Sequence, residues 1–145
     1  MIETVILIIF GLMGGVAVGT QAPVAGAMGS RVGGASGSFI VHLGGAITSL
    51  LLVVARGGEQ IQEWRTLPWY MLGCGALGLV LYLSLSQTVP KLGAATAITL
   101  VIVGQLVAGL VIDHFGAFDL PVRSLDANRI LAVALLLSGT YFLIR

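Results

Sequence analysis

Apolar residues along this chain come in long runs broken by short polar interruptions. Crossing the hydrocarbon core of a bilayer takes about 20 predominantly apolar residues in a helix. Five segments meet that requirement, at about residues 5–28, 35–54, 69–89, 94–112 and 128–144. The first ends at Gly29-Ser30-Arg31-Val32-Gly33-Gly34, a glycine-rich turn with one positive charge. The second is followed by the polar stretch from Arg56 to Pro68, where Trp64 and Trp69 stand as interfacial aromatic anchors. The third stops at Pro90-Lys91-Leu92-Gly93, and a loop from Asp113 to Arg129 follows the fourth. The fifth is short and begins inside Asp126-Ala127-Asn128, with Asp126 as its N-terminal cap. The pattern predicts an all-α integral membrane protein, residues 1–145 forming a single transmembrane domain of five helices.

Composition fixes that class. The chain is 57% hydrophobic and 9% charged, with a mean hydropathy of +1.06. Soluble domains carry about 25% charged residues, so a water-exposed surface could not be clothed here. A net charge of +1 suggests no nucleic-acid partner. The lone Cys74 excludes an intrachain disulfide and a cysteine metal site. With no nucleophile–base pair, metal-ligand cluster or phosphate-cradling glycine loop, the chain is not expected to be an enzyme or to need a cofactor. Ala25-Gly26-Ala27 loosely imitates a signal cleavage site. The leader Met1-Ile2-Glu3 lacks Lys and Arg, however, and the apolar run exceeds a signal peptide's core, so the first span is expected to stay.

Five spans put the two termini on opposite sides. One side then carries Arg56, Arg65, Arg123 and Arg129, and the other carries Arg31, Lys91 and Arg145. Orientation follows the bias in Lys and Arg between the two sides, and this near-tie gives almost no instruction. Dual topology, in which copies insert both ways, is the expectation that follows. Two such copies would form an antiparallel homodimer, a ten-helix bundle with the inverted-repeat architecture of many transporters.

Within the spans, Gly11, Gly15 and Gly19 recur every fourth residue and line one helical stripe suited to close packing. Gly104 and Ala108 repeat the small-x-x-x-small spacing. Polar side chains in lipid are costly and tend to face a bundle interior or a cavity. At 1.5 Å per residue, Gln21 and His42 lie roughly 12 Å below one surface, Tyr82 about 10 Å and Gln105 about 18 Å. These four are the candidate substrate-lining residues, with Pro23 as a bend in the first span. Other readings stand beside these: Gln21 serving the backbone carbonyl freed by Pro23, His42 and Tyr82 simply packing, and Gln105 joining helices. No Asp, Glu, Lys or Arg lies in the middle of a span. The Asp113-His114 pair reads as a helix-end feature, not a proton relay.

The chain also resembles the YdcZ-type, five-span branch of the drug/metabolite transporter superfamily. The likeness rests on Gln21-Ala22-Pro23 with Gly29, Ser38-Phe39, and Pro90-Lys91-Leu92-Gly93-Ala94-Ala95. It continues through Gly104-Gln105, Ile112-Asp113-His114-Phe115-Gly116, and Arg129. It implies a bacterial inner-membrane protein that moves small metabolites or drug-like molecules by alternating access, built from two five-helix halves related by inversion. The family pattern carries a small residue where this chain has His42, so no substrate identity is carried over. A non-transporting accessory subunit packed against another membrane protein is the alternative.

Overall fold

The computed structural model describes residues 2–144, all of their regular structure helical. Five helical segments are long and apolar enough to cross a membrane: Ile2–Val32, Gly34–Ala55, Trp69–Leu92, Ala94–Phe115 and Ala127–Ile144. The chain divides into two compact units, Met1–Lys91 and Leu92–Arg145. Arg145, one of the cations in the charge balance above, lies outside the described residues.

In the first unit, α1 (Ile2–Val32) runs through the Gly29–Arg31 segment expected to be a turn. Its 31 residues span about 46 Å, well beyond a hydrocarbon core of about 30 Å. The turn shrinks to Gly33 alone, whose φ of 85° a residue with a Cβ rarely adopts, and α2 (Gly34–Ala55) starts at once. The loop beyond α2 carries an exposed Arg56–Glu59 ion pair and a 3₁₀ turn over Ile61–Thr66.

The third span is not one helix. A short α3 (Trp69–Gly73) gives way at Cys74-Gly75 to α4 (Ala76–Leu92). Around the break the amides of Cys74, Leu77 and Gly78 bond the carbonyls of Met71, Cys74 and Gly75, the tighter i→i+3 pattern. Glycines at 73, 75 and 78 hold the helix weakly there. Pro90, read from sequence as a stop, lies inside α4, and Pro23 lies inside an unbroken α1. Within the third span the helix breaks at Cys74-Gly75.

Packing in this unit is between small and large rows. Ala22, Ala25, Gly26 and Gly29 follow the i, i+3, i+4, i+7 spacing of one helical face. Tyr82, Leu85, Ser86 and Val89 do the same on α4. A methyl added to Gly26 would come within 2.6 Å of the Val89 side chain, and one added to Gly29 within 2.5 Å of Ser86. On α2, Gly34 lies against Leu83 and Ser86, and Gly37 lies under the Tyr82 hydroxyl. A methyl added to Gly11, Gly15 or Gly19 would meet nothing within 4 Å among the described residues, and close packing in this unit belongs to a second stripe further along α1.

The second unit is a helical hairpin. Gly93 repeats the one-residue turn of Gly33, with φ 80° and ψ 160° against 85° and 154°. It leads into α5 (Ala94–Phe115), and α6 (Ala127–Ile144) returns after a short 3₁₀ turn at Ala117–Asp119. The hairpin is tied at both ends. The Thr96 hydroxyl donates to the Leu143 carbonyl at 3.2 Å, meeting an acceptor that the end of α6 leaves open. At the other end Arg129 pairs with Asp113 at 3.1 Å. Asp126 accepts from the Arg129 amide at 2.8 Å and caps α6, as read from sequence.

Candidate functional site

Three of the four polar residues singled out from sequence meet in one place. A cavity of about 210 Å³ lies among α1, α2 and α4, and Gln21, His42 and Tyr82 all line it. The rest of its wall is Val18, Ala22, Ala25, Val41, Gly78, Leu81 and Leu85. No carboxylate and no cation is among the lining residues.

The three polar groups differ in how they are held. Tyr82 is buried and donates its hydroxyl proton to the Ala25 carbonyl at 3.1 Å. That bond crosses from α4 to α1 while the same hydroxyl covers Gly37 of α2, so Tyr82 joins three helices and turns its ring to the cavity. Gln21 is exposed at the cavity edge, one helical turn after Val18 and four residues before Ala25. His42 is anchored through Nδ1, 2.7 Å from the Ser38 carbonyl and 3.2 Å from the Ser38 hydroxyl. A carbonyl only accepts, so Nδ1 carries the proton and Nε2 is the unprotonated nitrogen of the neutral ring.

Gly78 completes the arrangement around His42. A methyl there would stand 2.5 Å from Nε2, so a glycine at this point is what leaves the imidazole its place. Gly78 belongs to the 3₁₀-bonded turn that follows the break in the third span. Ser38 and Gly78 were not singled out as site residues in the sequence. The signal for Ser38 was its position one helical turn before His42, where a side chain meets the i−4 carbonyl. A second hollow, lined by Ala35, Ser38, Phe39, His42, Gly75 and Leu79, shares His42 with the cleft.

Gln105 lies on α5 in the second unit and is exposed, as are Gly104 and Ala108. Nothing in the chain comes within 4 Å of a methyl built on Gly104. Asp113 and His114, read from sequence as a helix-end feature, fill that role. Asp113 pairs with Arg129, and His114 Nδ1 accepts a 3.5 Å bond from the Leu125 amide. Among the described residues no cluster of His, Cys, Asp or Glu could hold a metal ion.

The fold and the cavity define a polytopic helical membrane protein with a small, uncharged, mainly apolar cleft. The chain belongs to the family described as "Putative inner membrane exporter, YdcZ", whose model matches residues 6–142. That makes it a multi-pass inner-membrane protein of a transporter family rather than an enzyme family. No curated protein and no solved structure matches the chain.

Proposed function

We propose that the chain is a secondary transporter of small metabolites or drug-like molecules, working by alternating access as a dual-topology antiparallel homodimer. The observation that carries this reading is the cleft. In a chain with no charge in mid-span, Gln21 and His42 stand together in one otherwise apolar cavity beside the Tyr82 ring. Polar groups at such depth are retained at a cost, and a solute path is their usual use. Gln105 is kept as a separate substrate-lining candidate on its depth in the fourth span alone.

Two further features support the dimer. The first half of α1 is exposed along its length, and its Gly11, Gly15 and Gly19 stripe has no neighbour within the chain. Such a stripe invites a second helix to close approach. The near-even split of Lys and Arg supports insertion in both orientations. In an inverted pair, each copy brings its own cleft to the shared bundle, and Pro23 supplies flexure in α1.

The test is efflux from inverted vesicles against a panel of small solutes. Gln21→Ala and Gln105→Ala, inserted at normal levels, should each reduce a positive response at least several-fold. Unchanged transport in both would remove the site assignment.

A further inference from the structure

We propose that the bare Nε2 of His42 is the recognition atom of the cleft, and that it selects uncharged molecules combining a compact apolar body with one N–H or O–H donor. The inference rests on the transporter reading and names the substrate class for that same cavity.

Four observations carry it. The Ser38 carbonyl, 2.7 Å from Nδ1, fixes the tautomer, so the lone pair falls on Nε2. Nε2 makes no hydrogen bond among the described residues, and Gly78 opposite offers neither side chain nor clash. The Tyr82 hydroxyl proton is already committed to the Ala25 carbonyl. The remaining wall is aliphatic apart from Gln21, which closes the edge with an amide able to donate and accept.

Each element around the imidazole adds no charge. From α1 comes Gln21, from α2 the His42 ring itself with Ser38, and from α4 Tyr82 and Gly78. A cationic solute would find no carboxylate to balance it, and an anionic one no guanidinium or ammonium. A donor on an apolar body matches the Nε2 acceptor in a mainly apolar cavity of about 210 Å³.

Indole and 1-methylindole differ in the one donor and serve as probes. Protein labelled with ¹⁵N-histidine is placed in nanodiscs at pH 8, and the His42 signals are those absent from His42→Gln. The expected spectrum has a protonated Nδ1 and an unprotonated Nε2. Indole should shift the Nε2 resonance saturably, with about five- to ten-fold higher affinity than 1-methylindole, as one hydrogen bond of about 1 kcal/mol predicts. In His42→Phe the preference should fall to about one, and Gly78→Ala, which crowds Nε2 without removing it, should lose most of the response. An Nε2-protonated ring, equal affinity for the two probes, or no shift with either would overturn the proposal. Indole recognition in a protein that moves no solute would overturn the transporter reading alone.

Discussion

Single side chains in this molecule divide between those that hold helices together and those left open to a ligand. Tyr82 belongs to the first group. Its hydroxyl is buried on the Ala25 carbonyl, so Tyr82→Phe should cost about 1 kcal/mol in unfolding experiments in mild detergent while leaving the cleft its ring. A loss below the error of measurement would show that the bond contributes nothing. Asp113 is also structural. Its pair with Arg129 is partly exposed, which limits Asp113→Asn to about 1 kcal/mol or less. The local effect should be larger, as faster amide hydrogen exchange over residues 117–126, where the loop is tied back by the Arg123 amide on the Asp113 carbonyl. Gln21 and His42 were singled out in the sequence by similar depth, but with the turn at Gly33 alone they stand 12 and 9 residues from it, offsets of about 18 and 14 Å. What depth could not give was direction around the helix, and that is why the bound hydroxyl of Tyr82 and the anchoring role of Ser38 emerge only from the structure.

At the scale of elements, α1 carries two small-residue stripes with different uses. Gly11, Gly15 and Gly19 stood out in the sequence because they are glycines at a regular interval of four. Ala22, Ala25, Gly26 and Gly29 contain the same interval twice, as Ala22–Gly26 and Ala25–Gly29, but mixed composition hid it. The second stripe is the one that meets α4. Gly26→Leu should therefore drive into Val89 and destabilise the chain by about 3 kcal/mol, seen as poor insertion or a lowered unfolding midpoint. Gly15→Leu should leave that midpoint alone and weaken self-association, read by cross-linking in membranes. The reverse pattern would contradict the assignment of the stripes. Span boundaries were read to within a few residues, with larger differences at prolines and glycines. Pro23 and Pro90 each forfeit one backbone bond yet stay inside packed helices, whereas Cys74-Gly75 breaks a span that hydropathy alone reads as continuous.

For the whole molecule, the family places the chain in the inner membrane in a transporter family, and the cleft among α1, α2 and α4 is the solute site proposed above. The proposed working unit is two copies of opposite orientation, a proposal supported by the near-even count of basic residues on the two sides. The most direct test replaces Cys74 with Ala, introduces one cysteine in the 56–68 loop, and labels intact cells with a membrane-impermeant maleimide before and after permeabilisation. The account predicts that about half of the chains react from outside and the remainder only after permeabilisation. Labelling of all chains from one side would contradict it.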